Sequence, residues 1–295
     1  MKIALAAIVT LSILPSSAWA ACGLSLRANG VTFDWTMNFT YIAVQFALDK
    51  ANEEACDYAL GFDKGGAADY GSRNANGLKY QLYKDSGQTK ILKEVPDIAS
   101  ADNTIQGTFA AGTNLTTTLT YYVAIPYGNA TSPTITAAGA YTDNFTISVY
   151  EKSGLPTGGD VPADTETVLL TVDVASFINV SLVNTDSAFE ESFINKSIDF
   201  GSLSQGKSTT FDINVRANSN YTVTCTSTNA GKMMNGASQV PYTFYLDGAA
   251  QWSTTGDSTT SLSGRAHPVR VLIGPLGSNR AGTHSDTITI EAVTP

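Results

Sequence analysis

Apolar and polar residues alternate with a period of two along most of this chain. Val44, Phe46 and Leu48 share one face in this way, and such alternation is typical of a half-buried β-strand. Similar runs cover residues 56–62, 119–125, 145–149, 211–215, 242–244, 269–273 and 288–290. Polar turn clusters separate them, as at residues 63–66 and 217–220. Many short strands with frequent turns predict an all-β protein of β-sandwich architecture.

Two segments return later in the chain in the same order. Residues 138–149 (AGAYTDNFTISV) are echoed by residues 281–290 (AGTHSDTITI), and residues 78–85 (LKYQLYKD) by residues 241–247 (PYTFYLD). This spacing far exceeds the roughly 20–50 residues of solenoid repeats, so it indicates two copies of one domain.

A glycine- and proline-rich stretch without a hydrophobic period lies between the two copies. It covers residues 151–166 and has the composition of a linker. The predicted domains are therefore an N-terminal domain at residues 21–150 and a C-terminal domain at residues 167–295.

The first 20 residues have the pattern of a secretory signal peptide. Lys2 supplies a positive charge, residues 3–14 are apolar, and Ala18-Trp19-Ala20 forms a small-residue cleavage site. The apolar run is too short to span a bilayer. We expect export from the cytoplasm and a mature chain that starts near Ala21.

Charge narrows the range of partners. Charged residues make up 15% of the chain, against about 25% in an ordinary soluble protein. The formal net charge is -9, which argues against nucleic acid or an anionic membrane, because both attract basic surfaces.

The three cysteines fit an oxidising compartment. Cys22 and Cys56 both lie in the first copy, and we predict a disulfide between them. The alternative is a lipidated Cys22, although Trp19 stands where a lipobox has Leu, Val or Ile. Cys225 belongs to an alternating run and is expected to be a free, buried side chain.

Catalytic and metal-binding patterns do not occur in the sequence. It contains two histidines, His267 and His284, and lacks the spacings of metal sites, nucleophile elbows and phosphate loops. The acidic residues near position 50, such as Glu53 and Glu54, are interpreted as a solvated turn between strands. We therefore predict that the protein is no enzyme and needs no cofactor or metal.

The second copy resembles a known family in several ordered motifs. These are residues 198–206 (IDFGSLSQG), 215–223 (VRANSNYTV), 229–233 (NAGKM), 240–243 (VPYT) and 281–290. They are similar to the spore coat protein U domain, the pilin domain of archaic (Csu-type) chaperone–usher pili. The first copy is similar but looser, and residues 63–77 depart from the pattern.

The resemblance implies immunoglobulin-like β-sandwiches, of which the C-terminal one lacks its last strand. A periplasmic chaperone, an outer-membrane usher and the donor strand of the next pilin are the implied partners. Only residues 291–295 follow Ile290, which agrees with a missing strand, and the edge open to a donor is expected at Thr287, Ile288, Thr289 and Ile290.

The resemblance also suggests where the subunit sits. A pilin carries its own donor strand before its first strand, whereas the mature chain reaches Cys22 at once. Two domains without such an extension resemble a tip adhesin, exported through the periplasm to the cell surface. Residues 167–174 (TVLLTVDV) resemble a donor strand within the chain; they either complete the first domain or begin the second.

The predicted contact with a surface lies in the loop from residue 126 to residue 142. It is five residues longer than its counterpart in the second copy and uncharged up to Asp143. Because residues 144–150 run into the linker, we expect this loop to point away from the second domain. Tyr127, Pro133 and Ile135 are the predicted contact residues for an abiotic or host surface, as hydrophobic fingers are in the family's tip adhesins.

Three alternatives stay open. A structural pilin is opposed by the doubled domain and the missing donor. A carbohydrate-binding sandwich would need a row of exposed aromatic residues, and Trp35 and Trp252 lie in different domains. A secreted hydrolase is disfavoured by the absent motifs.

Overall fold

The computed structural model describes residues 22–36, 41–71, 73–126, 136–259, 263–277 and 282–295. In these ranges the chain forms strands and one 3-10 helix, Ala101–Asn103. The strands are β1 Leu24–Arg27, β2 Val31–Asp34, β3 Ile42–Lys50, β4 Cys56–Phe62, β5 Asn74–Ala75, β6 Leu78–Lys79, β7 Gln81–Tyr83, β8 Ile105–Phe109, β9 Leu115–Ala124, β10 Gly139–Glu151, β11 Asp164–Val174, β12 Ile178–Val183, β13 Ser208–Ala217, β14 Tyr221–Ser227, β15 Lys232–Asn235, β16 Ser238–Leu246, β17 Ser253–Gly256, β18 Arg265–Ile273 and β19 Ile288–Val293. No helix within the described ranges is long and apolar enough to cross a bilayer.

The N-terminal sandwich packs two sheets around one core. One sheet has the strand order β1-β3-β9-β7 and the other β2-β11-β10-β4-β8. The alternating runs put Phe46, Leu60, Tyr121 and Phe145 inside, where their rings and methyl groups form a single cluster. The predicted all-β fold is confirmed, since these runs form strands whose apolar faces meet.

Strand β11 closes this sandwich from within the same chain. It pairs antiparallel with β10, from Gly139 opposite Val174 to Val149 opposite Asp164, and parallel with β2 on its other side. Val168, Leu170 and Val172 are fully buried. Of the two placements open for residues 167–174, the structure therefore shows the completion of the first sandwich.

This pairing corrects the linker predicted over residues 151–166. Residues 152–163 connect the end of β10 to the start of β11, and β11 starts inside the predicted linker, at Asp164. Glycine and proline mark this loop between two strands as they would mark a linker. The structure thus moves the start of the second sandwich from residue 167 to β12.

The C-terminal sandwich has fewer strands than the N-terminal one. Its sheets have the orders β12-β13-β18-β16-β15 and β17-β14-β19. Ile213, Val223, Phe244 and Val271 are buried between them. Strands β12 and β19 are each the end of a sheet, so each has one edge without a strand in the described residues.

The start of the described chain is bound to the first sandwich. Cys22 and Cys56 form a disulfide with Cα atoms 6.4 Å apart, and Cys225 is free and buried. Both cysteine predictions are confirmed. The backbone N–H of Cys22 also donates to the Glu151 carboxylate at 2.7 Å.

Asn218 holds the connection between the two sandwiches, residues 175–177, which we call the joint. Its side chain accepts from Phe177 N at 2.6 Å and donates to Ala175 O at 2.9 Å. Its own backbone N–H donates to Phe177 O at 3.1 Å, and its carbonyl accepts from Ala138 N at 2.9 Å. The short connection 175–177 is thereby fixed to β13's end and to the start of β10.

These contacts reverse the expected orientation of β10 relative to the second sandwich. The end of β10 at Gly139 lies opposite Val174, which leads directly into the joint. The end of β10 at Glu151 therefore lies away from the second sandwich, because β11 returns along the whole sheet. Tyr127, Pro133 and Ile135 themselves lie outside the described residues, but Ala138, just beyond them, contacts the joint.

We predict that Leu170→Ala lowers the free energy of unfolding of the first sandwich by about 2–5 kcal/mol. Leu170 is 0% exposed on β11, so its removal leaves a cavity in the core. Chemical denaturation followed by tryptophan fluorescence, with buried Trp35 as a reporter of the first sandwich, measures the change.

Leu169→Ala is the matched control, because Leu169 is the adjacent residue on the same strand and is 47% exposed. It should change stability by no more than about 0.5 kcal/mol. Equal losses for the two variants would contradict the burial of one face of β11.

Candidate functional site

A large groove lined by both apolar and polar side chains opens between the two sheets of the second sandwich. Its cavity volume is ≈ 1720 Å³, and it runs between β12 and β19. The walls and floor include Val180, Leu182, Phe211, Met233, Val240, Val271, Ile288, Ile290 and Ala292. We call this cavity the acceptor groove, since on one rim the edge of β19 has no strand partner among the described residues and can bind a further strand.

In the first sandwich, a strand occupies the position beside β10 that corresponds to the groove beside β19. There β11 lies between β2 and β10, and Phe145 and Ile147 on β10 are 1% and 0% exposed. The residues that echo them, Ile288 and Ile290, are only half-buried, and no strand of the described residues covers them. Within the described ranges, the second sandwich therefore has no counterpart of β11.

A tyrosine–aspartate hydrogen bond recurs in both copies. Tyr80 Oη donates to Asp143 Oδ2 at 2.8 Å, and Tyr242 Oη donates to Asp286 Oδ2 at 2.5 Å. Both members of each pair belong to the echoed segments of the sequence. The two sandwiches thus share a local arrangement, with the aspartate at the equivalent place on β10 and before β19.

Asp286 connects the beginning of β19 to its surroundings. Besides Tyr242, its carboxylate accepts from Ser227 Oγ at 2.5 Å, from Asn229 N and Nδ2 at 3.1 and 2.9 Å, and from Thr287 N at 2.9 Å. Partial burial alone would raise the pKa of Asp286, but these hydrogen bonds outweigh it, and its pKa lies below the usual value.

The predicted edge residues lie along the acceptor groove. Ile288, Thr289 and Ile290 are in β19, and Thr287 precedes the strand, where its carbonyl accepts from Thr228 N at 2.9 Å. On its other side β19 pairs with β14, where Cys225 lies opposite Ile290. The free edge of β19 thus faces the groove.

The remaining polar cluster of the second sandwich is internal. His267 is 1% exposed and lies between Tyr221 Oη, at 2.8 Å from Nε2, and Asp247 Oδ2, at 2.9 Å from Nδ1. The cluster therefore joins β14, β18 and the turn after β16 within the core. Among the described residues, no three His, Cys, Asp or Glu side chains are grouped to hold a metal.

Sequence reasoning did not identify Asp286 or Asn218. The echo of Tyr80 and Asp143 by Tyr242 and Asp286 was a usable signal, since both pairs recur in order. No comparable signal existed for Asn218, because this residue lies in an ordinary turn cluster.

The comparison with protein families agrees with these observations. Residues 16–148 match the sequence model of the Spore Coat Protein U domain. This part of the chain is similar to the spore coat protein U domain. The resemblance drawn from the motifs is confirmed, although the match lies on the first copy, whose motifs are looser. It ends within β10, so β11 is outside the matched spore coat protein U domain.

Solved structures give low-identity matches over most of the chain. One chain of the CsuC–CsuE chaperone–tip adhesion subunit pre-assembly complex from archaic chaperone–usher Csu pili of Acinetobacter baumannii matches with 13% identity and a TM-score of 0.45, covering 91% of this chain and 99% of that one. CfaE, the adhesive subunit of CFA/I fimbria of enterotoxigenic Escherichia coli, matches with 11% identity and a TM-score of 0.38, covering 90% and 92%. A comparison with curated protein sequences found no match.

The spore coat protein U domain and the acceptor groove together support a pilus subunit. The groove combines the open edge of β19 with apolar side chains on its floor, which is the chemistry of strand addition.

We predict that Asp286→Asn destabilises the second sandwich at neutral pH by about 1–3 kcal/mol, because a charged acceptor with several donors is lost. A carboxyl whose folded pKa is depressed stabilises above its unfolded pKa, and this stabilisation disappears as the pH falls through the folded pKa. The wild type should therefore lose its advantage over the variant on acidification below about pH 4.

Thermal melts from pH 7 to pH 3 measure this difference. Asp257→Asn serves as the control, since the Asp257 side chain is 87% exposed. A stability difference between wild type and Asp286→Asn that stays constant over this range would contradict the assigned role of the ionised carboxylate.

Proposed function

We propose that this chain is the tip adhesin subunit of an archaic chaperone–usher pilus. The second sandwich joins the fibre by accepting a donor strand from the next pilin in its acceptor groove. The first sandwich, closed by β11, carries the surface that binds an abiotic or host surface.

One observation carries this proposal: the chain has one closed sandwich and one open sandwich. Its donor-like strand β11 is paired on both sides inside the first sandwich. Residues 22–27 are also bound there, by the disulfide and by β1 pairing with β3. The described residues thus offer an acceptor groove and no free donor strand, and a subunit that only accepts terminates a fibre.

The open groove also explains the proposed partners. An unfilled apolar edge promotes aggregation, so the subunit needs a temporary occupant before assembly. We assign that place to a periplasmic chaperone, followed by exchange at an outer-membrane usher. The signal peptide predicted at residues 1–20 and the disulfide fit this route to the cell surface.

The proposed adhesive region is the distal surface, formed by the loops at residues 51–55, 110–114 and 152–163. It lies at the Glu151 end of β10, opposite the joint. Buried Lys50 connects two of these loops, since its ammonium donates to Ala110 O at 2.7 Å and to Glu54 O. Gly112 N donates to Glu53 O at 2.7 Å and adds to this connection.

The third loop of the distal surface is held by Asp160. Its carboxylate accepts from Lys152 Nζ at 2.5 Å and from Thr157 N at 2.6 Å. The hydrogen bond from Lys152 and those from Thr157 lower the pKa of Asp160 to about 2. Next to it, Val161 is 85% exposed, and such an apolar side chain on an ordered loop suits contact with a hydrophobic surface at little entropic cost.

We predict that antibodies against the first sandwich label one end of each fibre, and that Val161→Asp reduces attachment of piliated cells to plastic. The added charge must be desolvated against an apolar surface, which weakens contact. Immunogold electron microscopy and counts of attached cells at equal surface pilus amount provide the two measurements.

Val161→Ala is the matched control and should retain most attachment. Tyr127→Ser combined with Ile135→Ser tests the loop favoured by the sequence. Label along the fibre shaft would contradict the tip position, and attachment lost only in the Tyr127 and Ile135 variant would assign adhesion to that loop.

A further inference from the structure

Asp212 is a buried carboxylate on the outer side of the second sandwich. It lies in β13, where its neighbours Phe211 and Ile213 point into the core, so the Asp212 side chain points the opposite way. It is nevertheless only 2% exposed. Its Oδ2 accepts from Asp186 N at 2.8 Å, whereas its Oδ1 is buried and has no hydrogen-bond partner among the described residues.

This carboxylate also lacks a cationic partner. Within the described ranges, no lysine, arginine or histidine forms an ion pair with Asp212. A buried charge is costly unless it is paired and hydrogen-bonded. Protonation would remove the charge but would leave a buried polar atom without a partner. A bound cation meets both requirements, because it neutralises the charge and coordinates Oδ1.

A segment that follows β12 covers this carboxylate. It consists of residues 184–193, which we call the cover segment. Ser181 Oγ in β12 donates to Glu190 O at 2.7 Å and accepts from Glu190 N at 3.2 Å. In β13, the guanidinium of Arg216 lies 4.2 Å from the centre of the Phe189 ring. The cover segment thus crosses the outer face of both strands, which accounts for the burial of the carboxylate.

Further oxygen atoms lie around Asp212. Thr210 precedes it by two residues in β13 and therefore shares its face. Thr185 Oγ1 of the cover segment donates to Thr210 Oγ1 at 3.1 Å, and the next residue is Asp186, whose backbone contacts the buried carboxylate. The residues that carry two carboxylates and two hydroxyls therefore come together where the cover segment crosses β13. With only two acidic side chains, this group differs from the sets of three His, Cys, Asp or Glu side chains considered above.

We propose that Asp212 and Asp186, with the hydroxyls of Thr185 and Thr210, bind a calcium ion that holds the cover segment on β13. Calcium takes about 6–8 oxygen ligands in flexible geometry, including neutral ones, whereas magnesium demands near-ideal octahedral geometry and keeps its waters. Few charged and several neutral oxygens on two separate elements therefore suit calcium.

This site is separate from the strand-addition site. None of its four residues lines the acceptor groove, so the inference goes beyond the proposed function and does not depend on it. The sequence-based expectation of no metal rested on the spacing of local motifs. Asp186 and Asp212 are 26 residues apart and meet only through the pairing of β12 with β13, which no local motif reveals.

Calorimetric titration of calcium into the full mature chain, dialysed first against EDTA and then against buffer, measures binding. We expect one calcium ion per site with a Kd on the order of 10⁻⁴–10⁻³ M, the range of extracellular calcium modules. Magnesium should bind at least about tenfold more weakly, because the site cannot supply a rigid octahedron.

Three variants assign the binding to this site. Asp212→Asn keeps the size of the side chain but removes its charge, and we expect it to lose calcium binding. Asp186→Asn should weaken binding by about tenfold, because the charge of the ligands sets affinity. Asp257→Asn is the matched control, since Asp257 belongs to the same sandwich with its side chain 87% exposed, and it should bind as the wild type does.

Thermal melts separate a metal site from a structural hydrogen bond. Calcium at about 2 mM should raise the melting temperature of the second sandwich by about 4 °C in the wild type and in the control, but not in Asp212→Asn. In EDTA, Asp212→Asn should be at least as stable as the wild type, because it no longer buries an unpaired charge. Calcium should also slow hydrogen exchange of the cover segment in the wild type and not in Asp212→Asn.

Equal calcium binding by the wild type and Asp212→Asn, or no binding by the wild type up to about 10 mM, would overturn the site. A loss of stability in Asp212→Asn that is the same in EDTA and in calcium would do so too, since a purely structural carboxylate gives that pattern. Equal affinities for magnesium and calcium would overturn the assignment of calcium. Should Asp212→Asn not fold, an unchanged calcium affinity in Asp186→Asn would contradict the inference.

Discussion

Each sandwich must hold a strand between its first and last strands, or else expose the apolar side chains that line that position. Burial of apolar surface stabilises by about 25 cal/mol per Å², so an empty position of this size is a substantial cost. In the first sandwich β11 fills it and the residues around it are fully buried. In the second sandwich it is the acceptor groove, with half-buried Ile288 and Ile290 along one rim.

The order of the proposed fibre follows from this difference. In the proposed fibre the closed sandwich has no open position for a strand, and the open one gains stability from an occupant supplied by another protein. Hydrogen bonds of Asp286 with Ser227 and Tyr242 hold the start of β19 before any occupant is present. A rim arranged in advance lowers the ordering cost of strand addition. Asn218 joins the two sandwiches.

The strands and the doubled domain could be predicted from the sequence because both signals are local. Alternation at Val44, Phe46 and Leu48, or at Val269 and Val271, depends only on neighbouring residues. Which strand pairs with which is not a local property, because it depends on residues distant in sequence. Residues 167–174 alternate equally well as the last strand of one sandwich or the first of the next, and a glycine- and proline-rich loop resembles a linker. The prediction that the Tyr150 end of β10 faces the second sandwich depended on that choice and was therefore wrong. Lys50 and Asn218 act through carbonyl and amide groups distant in sequence, which no periodicity reveals.

The central claim is that the two equivalent strands β10 and β19 differ only in whether a neighbouring strand is present. Hydrogen exchange of backbone amides in the full chain, followed by mass spectrometry of peptides covering Gly139–Glu151 and Ile288–Val293, tests it most directly. The account predicts slow exchange in β10 and fast exchange in β19, because an edge strand beside an empty groove opens locally. Exchange in β19 as slow as in β10, with the groove unoccupied, would contradict it.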